Sequence, residues 1–149
     1  QYHHSEIGFN SRLDELQAII LRVRLKRIDN YNENRRRIAH RYSAALAGIP
    51  GIMPPHEDGI GHHVYHQYTL LAENRDAIQQ ALRDNEIASA IYYPIPLHQQ
   101  EVFASACQGR TLPVSERISQ QCLSLPVFPE LKDTQVDRIL DVIREVVND

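Results

Sequence analysis

Two stretches of this chain carry side chains that chemistry could use, and about eighty residues separate them. The first is Asn10-Ser11-Arg12, just ahead of an apolar run that begins at Leu13. A helix opening here would present unpaired backbone N–H groups and a partial positive charge, a setting that suits a phosphate or a carboxylate. An amide beside it adds a neutral donor, and a guanidinium adds bidentate recognition of an anion. The residues alone fit a simpler role as well, with Asn10 capping the helix and Arg12 solvated.

The second stretch is Tyr92-Tyr93-Pro94-Ile95-Pro96-Leu97-His98. Proline fixes φ twice within three residues, so the loop can hold a phenol and an imidazole in place at little ordering cost. Imidazole is the side chain whose ordinary pKa lies near neutral, which suits a substrate hydrogen bond or proton handling. The competing reading has both tyrosines closing the core and His98 solvated on the loop.

Other candidates offer less. Schiff-base chemistry needs a lysine of lowered pKa facing a cofactor. The two lysines are Lys26, mid-helix among Arg24 and Arg27, and Lys132, just before the last helix. Neither position fits, so no catalytic residue is expected in this chain. The histidine clusters are His3-His4 and His62-His63-x-x-His66. On a strand His62 and His66 would share a face yet sit too far apart for one ion, and no metal site is expected. Arg35-Arg36-Arg37, flanked by Asp29 and Glu33, reads as a charged helix face.

Apolar periodicity supplies the elements that must position these side chains. Leu13, Leu16, Ile20 and Val23 form one stripe, and Leu21, Leu25 and Ile28 a second. A helix apolar over two faces is expected to be buried on both, one against its own domain and one against another domain or subunit. Asn10 or Ser11 would cap it, with Asp14 completing an approximate capping box. Ala39, Tyr42, Ala45 and Leu46 continue the apolar edge, and Gly48 with Pro50 stops it, which predicts a long helix region over 1–48. A Pro/Gly/His-rich loop follows to His62. Strands are then predicted at His63–Leu71 and Ile87–Tyr93, the second halted by the two prolines. Between them Asn74 opens a short helix with Ile78, Ala81 and Leu82 inward, ended by Asn85 in the left-handed conformation. Ser115 caps a helix through Cys122. Thr134 opens the last, with Val136, Ile139, Leu140, Ile143 and Val147 inward.

Composition sets the outer bounds. The chain has 149 residues, one domain's worth, and is 42% hydrophobic and 23% charged with a net charge of −3. The clustered basic excess of a nucleic-acid binder is missing. No apolar run reaches membrane-spanning length and no signal-peptide pattern opens the chain. Cys107 and Cys122 are too few for a disulfide scaffold, and a reduced, cytoplasmic setting fits. The start at Gln1, without Met, points to a piece of a longer protein.

Four motifs in order resemble one family. Gly8-Phe9-Asn10-Ser11-Arg12-Leu13-Asp14-Glu15-Leu16-Gln17-Ala18 resembles the G-x-N-x-R-L-D-E-L-Q-A signature of the DegT/StrS family, the pyridoxal-phosphate-dependent aminotransferases of nucleotide-linked sugars. Tyr92 to His98 resembles the same family's Y-Y-P-x-P-L-H loop. Val64-Tyr65-His66-Gln67-Tyr68 and Leu123-Ser124-Leu125-Pro126 stand at family-like positions. The resemblance implies an α/β (α+β) fold, the C-terminal small domain of a fold type I enzyme. Its long N-terminal helix (1–48) is followed by a small, mainly antiparallel sheet flanked by helices (49–149). The larger N-terminal domain, with the Schiff-base lysine and most of the pyridoxal 5'-phosphate site, would lie outside this chain.

The resemblance further implies residue roles. Asn10 reaches the cofactor phosphate of the neighbouring subunit in a homodimer, Arg12 lies by the same pocket, and His98 and Tyr93 border the sugar-nucleotide. The intact enzyme would pass an amino group, usually from glutamate, to a nucleotide-linked keto-sugar, as in polysaccharide or cell-surface sugar biosynthesis. Two alternatives stay open. One is a pyridoxamine-phosphate-dependent sugar dehydratase of the same family; the other is a non-catalytic binding or dimerisation domain.

Overall fold

The computed structural model describes residues 12–103 and 105–148. The helical region at the start is two helices, α1 (Glu15–Leu25) and α2 (Ile28–Leu46), where the sequence predicts one. At Arg27 the backbone leaves the helical basin (φ −117°, ψ 1°), and its N–H turns to Arg24 O, three residues back. No Pro or Gly stands there, so the periodicity runs through the break without marking it. Asp14, not Asn10 or Ser11, caps α1: its Oδ1 accepts from Leu16 N at 2.9 Å and Gln17 N at 3.2 Å. Asn10 and Ser11 lie outside the described residues.

The helices differ in what they bury. One face of α2 (Ile38, Ala39, Tyr42, Leu46) is wholly inside, and Gly48 ends the run at φ 78°, a conformation glycine takes without steric cost. By contrast α1 buries nothing, with Leu16 72% and Leu25 69% exposed. The expectation that one of its stripes packs on its own domain is therefore corrected. Among the described residues the core is built from α2, the sheet and two later helices, and no residue of α1 belongs to it.

The sheet has three antiparallel strands in the order β1 (Ile52–Met53), β2 (Tyr68–Ala72), β3 (Cys122–Leu125). Tyr68 pairs with Leu125 and Leu71 with Cys122. Along β2 the predicted alternation holds, with Tyr68, Leu70 and Ala72 buried and Thr69 and Leu71 partly so. The strand is shorter than predicted because residues 63–67 do not pair: His63 Nδ1 accepts from Tyr65 N at 3.0 Å in a turn instead. The predicted strand over 87–93 reduces to one bridge, Ala90 with Ser124. The prolines at 94 and 96 and the short reach of β3 leave it nothing more to pair with. The segment predicted to close a helix at Cys122 instead enters β3, every residue of which is buried. Ser124 tolerates that burial because its hydroxyl meets Thr69 Oγ1 at 2.8 Å.

Helices α3 (Arg75–Asp84) and α5 (Asp133–Asn148) pack together and close the core. Ile78 and Leu82 point in from α3, and Val136, Ile139, Leu140 and Ile143 from α5. The end of α3 is corrected in detail. Asn85 stays right-handed and caps Ala81 O through its side chain at 3.0 Å, while Glu86 takes the left-handed turn at φ 58°. The arginine run ties α2 to its surroundings: Arg37 pairs with Asp133 on α5, Arg41 with Asp133 and Asp137, and Arg36 with Glu57 and His63 O. Among the described residues no helix is long and apolar enough to cross a membrane.

Candidate functional site

Two prolines shape the loop that carries His98. Pro96 is extended (φ −61°, ψ 149°) and opens a single 3-10 turn, Leu97–Gln99, closed by Gln99 N to Pro96 O at 3.0 Å. His98 sits in the middle of that turn with its side chain only 5% exposed. Its Nε2 lies 2.9 Å from Glu116 Oε1, eighteen residues on. The solvated-loop alternative for His98 does not hold.

Glu116 belongs to α4 (Pro113–Gln121). This helix starts earlier than predicted: Leu112 is the cap position, Pro113 takes the first helical place and Ser115 lies inside. Proline is favoured at that place because its missing N–H would be unpaired anyway, a signal the sequence did carry. Leu112 N then donates to Glu116 Oε1 at 2.8 Å, the reciprocal half of a capping box shifted by one residue. The Leu112 N–H first and His98 second hold the Glu116 carboxyl below the usual carboxylate range.

A pocket of about 530 Å³ opens between this loop and α4. Tyr93, Ile95, His98, Leu112, Ser115 and Ile118 are among its walls. The structure thus brings Tyr93 and His98 to one apolar concavity with a few polar groups, the usual make-up of a small-molecule site. Tyr93 is 75% exposed and free to contact a ligand. Arg12 is exposed and is not among the residues lining this pocket. The Asp14 carboxylate already takes the first free N–H groups of α1, so that helix start is no ready-made anion site. Asn10 lies outside the described residues. Glu116 is the site residue the sequence reading missed, since no local spacing links it to His98.

The other titratable cluster joins α2 to the loop after β1. Glu57 Oε1 meets Tyr65 Oη and His40 Nε2, each at 2.6 Å, and Arg36 stands at 3.4 Å from Oε2. These contacts, Tyr65 foremost and His40 next, pull the Glu57 carboxyl from its ordinary 4.5 to about 2. Burial first, then the Glu57 contact, raises the Tyr65 phenol above its ordinary range. Every partner is engaged within the cluster, which makes it a clasp between elements. Lys26 and Lys132 are both exposed, and neither lines the His98 pocket. His62, His63 and His66 are exposed, and among the described residues no group of three or more His, Cys, Asp or Glu is placed to hold a metal ion.

Comparison with known proteins follows the same lines. The chain is 48% identical over 147 residues to the UDP-N-acetyl-3-dehydro-alpha-D-glucosamine 3-aminotransferase of Acidithiobacillus ferrooxidans, covering 99% of this chain and 39% of that protein. It is 38% identical to the dTDP-3-amino-3,4,6-trideoxy-alpha-D-glucose transaminase of Streptomyces venezuelae, covering 97% of this chain and 38% of that one. Among solved structures, S. venezuelae DesV in complex with a ketimine intermediate superposes with a TM-score of 0.91 at 37% identity, over 100% of this chain and 40% of DesV. The chain therefore spans about two fifths of the length of the curated relatives it matches. The sequence pattern of one family matches residues 1–144, and the chain belongs to that family, the DegT/DnrJ/EryC1/StrS aminotransferases.

Proposed function

We propose that this chain is the C-terminal small domain of a pyridoxal-phosphate-dependent aminotransferase that passes an amino group, from glutamate, to a keto-sugar carried on a nucleotide. The observation that carries the reading is His98, buried beside Tyr93 at a pocket in a chain whose relatives are named nucleotide-sugar aminotransferases. In this reading the domain binds and orients. His98 and Tyr93 contact the sugar, Arg12 meets an anionic group, and Asn10 reaches the cofactor phosphate of the neighbouring subunit in a homodimer. Bound cofactor supplies an electron sink for the amino transfer. The described residues do not fit covalent attachment of it, since both lysines are exposed and neither reaches the pocket. The attaching lysine is assigned to a larger domain preceding this chain, in keeping with the two-fifths coverage of its relatives.

The test is made on the intact protein. His98→Ala is expected to lower kcat/KM for a nucleotide-linked keto-sugar by about tenfold or more, about 1.4 kcal/mol, with cofactor absorbance unchanged. A change within about twofold would remove His98 from the site. Borohydride reduction of the 149-residue chain with pyridoxal phosphate should label Lys26 and Lys132 no more than other exposed amines. Stoichiometric labelling of either would overturn the assignment of the lysine elsewhere.

A further inference from the structure

We propose that Glu116 is the positioning residue of His98: it keeps the ring proton on Nε2 and so presents Nδ1 as the hydrogen-bond acceptor for a sugar hydroxyl in the adjoining pocket. This rests on the reading that places His98 at the sugar site. An ionised carboxylate only accepts hydrogen bonds. The 2.9 Å contact between Glu116 Oε1 and His98 Nε2 therefore puts the proton on Nε2, and a neutral imidazole then carries its lone pair on Nδ1. The same oxygen receives the Leu112 N–H at 2.8 Å, which anchors the carboxylate to the start of α4. Glu116 is thus itself held by backbone, as an orienting group behind an imidazole must be.

Nδ1 is the end of the ring left for a ligand. Among the described residues no hydrogen bond engages it, and no buried side-chain nitrogen or oxygen is without a partner. His98 lines the pocket, and Nδ1, the ring nitrogen not held by Glu116, is the one assigned to it. Ile95, Leu97, Leu112 and Ile118 give that pocket an apolar wall, and Tyr93 adds a phenol. An acceptor nitrogen beside an apolar wall fits a ring that carries hydroxyl donors on one edge and C–H groups on its face. An imidazole free to rotate or to change tautomer would also offer a donor there, and Glu116 removes that option.

The intact protein, labelled with 15N-histidine, tests this by long-range 1H–15N spectra of the ring nitrogens together with steady-state kinetics. The wild type is expected to show His98 in the Nε2–H form. Glu116→Gln retains an accepting oxygen and should keep that form, with KM for the nucleotide sugar within about twofold. Glu116→Ala should give a tautomer mixture and raise KM by about fivefold or more, yet add less than about twofold in a His98→Ala background, because both changes remove one unit. An Nδ1–H form in the wild type overturns the proposal before any variant is made. So does a full additional loss from Glu116→Ala in the His98→Ala background, which would mean that Glu116 acts only through the start of α4. An unchanged tautomer in Glu116→Ala, with His98→Ala still harmful, sinks this proposal alone. A silent His98→Ala sinks the sugar-site reading beneath it and the ligand role of Nδ1 along with it.

Discussion

The Tyr65 hydroxyl donates to the Glu57 carboxylate at 2.6 Å, and Tyr65 makes that bond from a left-handed backbone (φ 46°) while only 2% exposed. A left-handed conformation for a bulky residue costs about 1–3 kcal/mol and persists only where its surroundings over-determine it. Here they do: the hydroxyl is tied to Glu57, and the ring meets His40 edge-on at 5.8 Å. Through His40 and Arg36, which also meet Glu57, the pair ties the loop after β1 to α2.

Acid should undo this clasp. The Glu57 carboxyl is depressed from 4.5 to about 2, so its contribution to stability is fully present above 4.5 and is lost as pH falls through that window towards 2. Glu116 and Asp133, also held low, act with the same sign. Melting temperature measured against pH is expected to fall over this range. Glu57→Gln should lower it at neutral pH and flatten the acid slope. A variant with the full wild-type slope would show that the clasp does not govern acid sensitivity.

Gly48 is a backbone requirement with no packing component. At φ 78° nothing lies within 4 Å of where a Cβ would be. Gly48→Ala is therefore expected to destabilise by about 1–2 kcal/mol from the left-handed conformation alone, and Gly48→Asn by less. Urea denaturation measures both. A neutral alanine would mean that the turn can leave the left-handed region.

Burial separates two leucines that periodicity treats alike. Leu140 is 3% exposed within the core and Leu16 is 72% exposed on α1. Leu140→Ala should cost about 2–5 kcal/mol, whereas Leu16→Ala in the 149-residue chain should stay within about 0.5 kcal/mol. Equal losses in denaturation would show that α1 is held against the core after all.

The open face of α1 should make the isolated chain associate. Each large apolar side chain left in water forgoes about 1.5–3 kcal/mol of burial, and Leu21 and Leu25 are 53% and 69% exposed. Sedimentation is expected to show concentration-dependent species, and replacing both leucines with Lys should shift them towards monomer without lowering the melting temperature. A strict monomer at all concentrations contradicts this.

What the sequence determined by itself is short in range. The inward stripes Ile78 and Leu82 on α3 and Val136, Ile139, Leu140 and Ile143 on α5 follow from 3.6-residue periodicity, and the stop at Gly48 from the chemistry of one turn. The Pro94–Pro96 loop carrying Tyr93 and His98 was legible for the same reason, since each proline restricts its own backbone. Tertiary structure decided everything that joins distant residues. Whether 122–125 became a strand depended on Tyr68–Leu71 lying alongside, some fifty residues away. Whether α1 was covered depended on surface the core did not offer, and whether His98 had an orienting partner depended on α4 folding back to bring Glu116 within 2.9 Å. Periodicity records which face of an element is apolar; it holds no record of what that face, or a side chain at its end, will meet.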